Sequence, residues 1–335
     1  MSSNPNSPVP AATRSQPTDL KESHVEAVVA AAVESHSPAT RRAYEVAWRQ
    51  FADWCREEGY DAFPADSETV AAYLTQRADL GVAFSTLKVD RAGIRYHHET
   101  RGVDSPTLSA GVSRVLRGLR RRAVASELIQ GRGQVTGLSR THLAAIRATA
   151  HRRRTYRSGA REPEARARQR GDVDIALVSV MRDALLRRSE AIRLTWKDIE
   201  FGDDGTALVT IRRSKTDQEG SGAVQFIGRD ATEALNAIRP NGDDDALIAG
   251  QSVFGLKTGE AVSRRIQAAA AAAGLKGRFR GHSPRVGMSQ DLAEAGASTT
   301  DLMVVGRWAA HRMPATYTRG QAARQGAVAR YYQSR

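Results

Sequence analysis

At 335 residues, 41% of them hydrophobic, the chain is long enough for two domains that each bury a core. Fifty Lys+Arg against 37 Asp+Glu leave a formal charge of +13, which suits a polyanionic partner, nucleic acid before others; a generally arginine-rich composition is the plainer reading. The single cysteine, Cys55, excludes an intrachain disulfide and a cysteine-built zinc site, and no apolar run nears the roughly 18 residues that span a membrane.

Residues 1–21 are polar, rich in Ser and Pro, and lack the apolar centre of a signal peptide. They are expected to form a disordered tail on a cytoplasmic protein. From 22 to 125 the pattern is helical. "SPATRRAYEVAWRQFADWCREEG" opens on Ser37-Pro38 and closes at Gly59, with Tyr44, Trp48, Phe51 and Cys55 forming an apolar stripe. Arg42, Arg49 and Arg56 recur every seven residues on another face. Further helices are expected at 67–79, 84–100 and 106–123, the last carrying Arg114, Arg117, Arg120, Arg121 and Arg122. One such basic face alone is a solvated surface. Several in one small domain make these eight arginines candidate DNA contacts. His97 and His98 are read as packing or surface groups rather than metal ligands.

Residues 126–138, with three glycines and little periodicity, read as a linker, and a second domain spans 139–335. Its helix from Ser139 leads into the charge-dense stretch 151–171, expected to be exposed and partly mobile. A buried helix follows at 173–186, then a turn capped by Ser189. "TALVTIRRS" and "AVQFIG" flank "KTDQEGSG" as a β-hairpin. Helices are expected at 229–238 and 258–273, and the acidic "GDDDAL" between them reads as a solvated turn. In "RGHSPRVG", Ser283 is expected to cap a helix running over 284–296 with Pro284 in its first turn. His282 and Arg285 then stand at the positive end of a helix, where an anion is favoured.

Five places in this domain hold groups fit for one task. Strand cleavage at a phosphodiester without metal or water needs cations on the non-bridging oxygens, an in-line nucleophile and an acid for the leaving sugar oxygen. Arg187 and Arg285 suit the first role, Tyr317 the second, and Lys215 on the hairpin the third, with His282 supporting the phosphate and the proton transfer. The patterns HExxH, GxxxxGK[ST] and GxSxG are all missing from the sequence. Tyr331 and Tyr332 compete with Tyr317 as nucleophile by residue type alone.

The ordered set Arg…Lys…His-x-x-Arg…Trp…Tyr resembles the catalytic domain of the tyrosine site-specific recombinases of the phage integrase family, especially its Cre-like branch. "LLRRSEAIRLTWKDI", "GHSPRVGMSQDLAEAGASTTDLMVVGRW" and the interval from Arg285 to Tyr317 carry the resemblance, as does the opening "SPATRRAYEVAWRQFADWCREEG". It implies a mainly α, two-domain DNA clamp: an all-helical core-binding domain and an α+β catalytic domain with a small antiparallel sheet. It implies that Tyr317 forms a 3′-phosphotyrosyl bond, that Lys215 is the general acid, and that Arg187, Arg285, His282 and Trp308 bind the phosphate. Glu190 is implied to position its neighbours through a hydrogen bond to His282. No metal or other cofactor is implied. The implied partners are duplex DNA with inverted-repeat sites and three further copies of the chain on two such sites, joined through a Holliday junction. The segment "GQAARQGAVARYYQ" is implied to dock on a neighbouring copy. Two rival readings are a DNA-relaxing enzyme of the type IB topoisomerase kind and a non-enzymatic DNA-binding protein.

Overall fold

The computed structural model describes residues 24, 36–125, 133–156, 158–212, 222–240 and 245–333. The expected tail 1–21, residues 126–132 of the expected linker, Asp243 and Asp244 of the acidic turn, and the hairpin loop bearing Lys215 lie outside the described residues. Contacts divide the chain into two units, 1–133 and 134–335.

In the first unit α1 (Pro38–Glu58) starts where the Ser37 hydroxyl accepts from the Thr40 amide at 3.2 Å and stops at Gly59, which takes the left-handed conformation. Helix α2 (Ser67–Asp79) starts on the Asp66 carboxylate, which accepts from the Thr69 amide at 2.6 Å. Helix α3 (Phe84–Glu99) lies against α1 at Gly93, where a Cβ would stand 2.8 Å from that of Ala47. The expected helix 106–123 is two elements: a 3₁₀ turn at Pro106–Leu108, then α4 (Ala110–Ala125). Phe51, Cys55, Tyr73, Leu74, Leu87, Ile94 and Leu116 fill the core between the four helices.

His97 and His98 are packing groups here. His97 lies flat on Trp48, ring centres 4.7 Å apart. Buried His98 accepts from the Ala65 amide on Nε2 at 3.1 Å, which leaves its Nδ1–H for the Ile94 carbonyl at 2.8 Å. All eight candidate DNA-contact arginines are exposed; Arg56 is paired with Asp53 at 2.7 Å and Arg122 with Asp79 at 2.8 Å.

In the second unit, residues 134–138 are no linker. The Thr136 amide donates to the Arg278 carbonyl at 3.0 Å, the Leu138 amide to that of Ser283 at 2.8 Å, and the Leu138 side chain is wholly buried. Helix α5 (Arg140–Thr149) follows, capped by Ser139. The central helix α6 (Glu164–Asp183) begins earlier than its apolar pattern predicts, directly after Pro163. Its second half, with Ala176, Leu177, Val178, Val180 and Met181, forms the middle of the core.

The stretch 151–171 is anchored rather than loose. Arg170 pairs with buried Glu162 at 2.9 Å, and buried Asp174 takes Arg154 at 3.3 Å and Arg265 at 2.7 Å. After the turn α7 (Arg188–Ala191) come β1 (Ile199–Phe201), β2 (Ala207–Ile211) and β3 (Ala223–Ile227). They form one antiparallel sheet in the order β1-β2-β3, with Val209 facing Ile199 on one side and Gln225 on the other. Strand β1 is the addition to the expected hairpin. Helices α8 (Arg229–Asn236), α9 (Asp245–Ala249) and α10 (Gly259–Ala272) follow, then α11 (Ser283–Glu294), α12 (Thr299–Gly306), α13 (Arg312–Tyr317), α14 (Arg319–Arg324) and α15 (Ala327–Gln333).

Helix α11 reaches the 134–138 segment at Gly287, where any Cβ would run into the Leu138 backbone. Gly287→Ala is therefore expected to lower the unfolding free energy by about 1–3 kcal/mol, read as a lower Tm in thermal unfolding. An unchanged Tm would mean that this approach has slack the geometry does not show.

Candidate active site

Helix α6 ends in a turn whose Leu185 has a left-handed backbone, φ 45°, although it is not glycine. That conformation turns the Leu185 carbonyl away from the helix, where it accepts from both the Arg285 and the Arg307 guanidinium. Two residues on, Arg187 stands at the start of α7, in the capping place the sequence suggested for Ser189. Its amide donates to Glu190 Oε2 at 2.9 Å and its guanidinium to Oε1 at 2.7 Å.

Glu190 is buried, and its Oε2 also accepts from Arg307 at 2.7 Å. Both carboxylate oxygens are thus held by arginines, and the implied bond from Glu190 to His282 gives way to the stronger charge-assisted pairs. His282 meets Tyr317 instead: its Nε2 lies 2.8 Å from the phenolic oxygen.

At α11 the expected cap is also displaced by one residue. His282 occupies the capping place without a side-chain cap, Ser283 is the first helical residue, and the Ser283 hydroxyl accepts from the Arg280 amide at 2.9 Å. This turns His282 toward Tyr317 and sends Arg285 inward. Arg285 is fully buried, donates to the Leu185 and Gly306 carbonyls, and stacks under Trp308 with its guanidinium carbon 4.5 Å from the ring centre. Gly306 is required there, since a Cβ would overlap the Trp308 ring. Tyr317, at the end of α13, packs 5.6 Å from Trp308 and 5.5 Å from His282, ring centre to ring centre, with its carbonyl held by Gln290 at 3.1 Å.

Burial and the neighbouring Arg285, Arg187 and Arg188 push the His282 pKa down to about 4, so the ring is neutral at pH 7. Burial raises Tyr317 above its usual range, against the pull of Arg285 and Arg187. Burial, then the crowding of Arg187 and Arg307, lowers Arg285 to about 9. A protonated phenol on a neutral imidazole, beside an excess of guanidinium charge, can receive a phosphate and pass its proton to nitrogen as the oxygen attacks.

The structure therefore brings together Arg187, Glu190, His282, Arg285, Trp308 and Tyr317. Tyr331 and Tyr332 are exposed on α15 and touch each other. Lys215 lies outside the described residues, between the ends of β2 and β3. Sequence reading missed Arg307; its one signal is an arginine directly after the α12 glycine, a place where the chain must turn left-handed (φ 52°) to bring Trp308 back. Among the described residues, no group of three or more His, Cys, Asp or Glu converges as a metal site.

Residues 165–324 match the phage integrase family, a span that holds every assembled group above. The chain belongs to that family. Recombinase cre of Escherichia phage P1 is 26% identical to this family member over 306 residues, 84% of each chain. The Tn1549 transposon integrase in complex with transposon right end DNA matches over 90% of this chain and 99% of its own, at 13% identity and a TM-score of 0.56. The XerH site-specific recombinase bound to difH substrate, a pre-cleavage complex, matches over 89% and 81%, at 14% identity and a TM-score of 0.54. The structural matches establish a shared fold. The family match makes this integrase-family chain a tyrosine recombinase.

Because His282 is held near pKa 4 against 6.5 in an unfolded chain, the unfolded chain binds a proton between those values that the folded one refuses. This contribution to stability is full above pH 6.5 and falls as the pH drops toward about 4. The loss of Tm between about pH 7 and pH 5 is expected to be smaller in His282→Asn than in the wild type. Equal losses in the two proteins would show that the imidazole is not held neutral.

Proposed function

We propose that this protein recombines DNA at specific sites by cutting and rejoining strands through Tyr317. The observation that carries the reading is the Tyr317 hydroxyl 2.8 Å from neutral His282, beside Arg285 and Arg187. In the forward step the Tyr317 oxygen attacks the scissile phosphorus. The P–O5′ bond breaks, a 3′-phosphotyrosyl bond forms, and Lys215 gives a proton to the departing 5′-oxygen. Arg187, Arg285 and Trp308 hold the phosphate, and His282 takes the phenolic proton. One phosphoester replaces another, so the reverse attack by a partner strand's 5′-hydroxyl needs no ATP, and one exchange leaves a Holliday junction.

Each chain offers one nucleophile, while exchange between two duplexes breaks four strands. The reaction therefore takes four copies on two sites, and inverted repeats seat two copies on each. The net charge of +13 and the exposed arginines of α1 and α4 support duplex DNA as the partner, gripped by the helical domain on one face and the catalytic domain on the other. Recombinase cre is the relative whose activity the reading carries over. The setting is cytoplasmic, on nucleoid, plasmid or phage DNA; no helix among the described residues is long and apolar enough to cross a membrane. The assembled phosphate site opposes the non-enzymatic reading, and the recombinase relative opposes a purely DNA-relaxing enzyme.

Incubation with nicked duplex fragments from the protein's own genetic surroundings is expected to yield a denaturation-resistant protein–DNA adduct. Tyr317→Phe is expected to abolish the adduct while binding DNA as before. An adduct retained in that variant would move the nucleophile elsewhere.

A further inference from the structure

We infer that Arg307 is a positioning residue that neutralises the Glu190 carboxylate, so that Arg187 and Arg285 keep their charge for the phosphate. The inference rests on the reaction proposed above. Arg307 stands at a left-handed position, φ 52°, where glycine is favoured and a long side chain is strained. Its guanidinium is inserted behind the site, donating to the Ala184 and Leu185 carbonyls at 3.2 Å each and to Glu190 Oε2 at 2.7 Å. The Leu185 carbonyl it holds is the one that also seats Arg285.

Charge explains why a cation belongs in this strained place. Glu190 is needed structurally: it fixes both the amide and the guanidinium of Arg187. Its own charge opposes the task, because a buried carboxylate paired with Arg187 alone would cancel that arginine as an electrophile. A phosphodiester brings one negative charge and gains a second as the tyrosine oxygen adds. Arg187, Arg285 and Arg307 against Glu190 leave two positive charges to meet it; without Arg307 only one remains. Arg307 acts through Glu190 rather than by touching substrate, since its printed contacts are all to protein.

The test compares single-turnover adduct formation on a nicked duplex by the wild type, Arg307→Gly, Arg307→Lys and the double variant Glu190→Gln/Arg307→Gly. DNA affinity and Tm are measured alongside. Glycine suits the left-handed backbone, so a preserved Tm shows that the variant folds. Arg307→Gly is expected to slow cleavage by about 100-fold while DNA affinity stays within about threefold, a loss of the size seen when one charge-stabilising donor is removed. Arg307→Lys, which restores the charge, is expected to recover at least about tenfold of it. Glu190→Gln, added to Arg307→Gly, removes the uncompensated carboxylate and is expected to speed cleavage several-fold. A merely structural role gives no such recovery. A double variant no faster than Arg307→Gly, or Arg307→Gly as fast as the wild type, overturns the inference while leaving the reaction intact. A wild type that forms no adduct overturns both.

Discussion

The burial of the Arg285 guanidinium is the constraint around which the catalytic unit is arranged. A cation cannot leave water unless its donors and its charge are met, and here that is done by two carbonyls and the face of Trp308. Each of these partners carries a condition of its own. The Leu185 carbonyl is available because its residue adopts a left-handed backbone. The Trp308 ring can lie over the guanidinium because Gly306 has no side chain. The helix that carries Arg285 is fixed by its close approach to Leu138 at Gly287. Three separate chain segments are thereby held to one guanidinium, and the site is preorganised before any substrate arrives.

The same burial sets the protonation states. His282 is held neutral and Tyr317 protonated, mostly by desolvation, while the arginines around them strain against one another. Nothing inside the site satisfies this excess of positive charge. An arriving phosphate does so directly, and by offsetting the arginines it changes the balance that both His282 and Tyr317 feel. Substrate binding and activation of the nucleophile are in this sense one electrostatic event.

Much of this was legible in the sequence, because each group sits in a local pattern that survives without tertiary knowledge. The "HSPR" turn, the "LLRRSE" helix end and the tyrosine at the end of the molecule carry the set in order, and the apolar stripe of α1 gives its buried face. What escaped depends on contacts between segments far apart in the chain. Ser189 and Ser283 look like caps, but tertiary bonds hand those places to Arg187 and His282. Residues 134–138 look like a linker until Arg278 and Ser283 pair with their backbone. Arg307 could not be found by propensity at all, since propensity disfavours any long side chain where it stands.

The stretch 151–171 shows why a run of arginines cannot be assigned from charge density. There Arg154, Arg170 and Arg265 face two carboxylates, Glu162 and Asp174, and all three arginines retain contact with water. Solvent covers the one charge left over, so that network stabilises the fold and asks for no ligand. At the active site three arginines face Glu190 alone, and Arg285 is shut off from water altogether. Neither sequence run is richer in arginine in a way that predicts this difference. It lies in how many carboxylates fold in beside the guanidiniums and whether water can reach the remainder. An uncompensated charge that solvent cannot reach is costly unless something else comes to meet it, and in this protein that is the phosphate of the substrate.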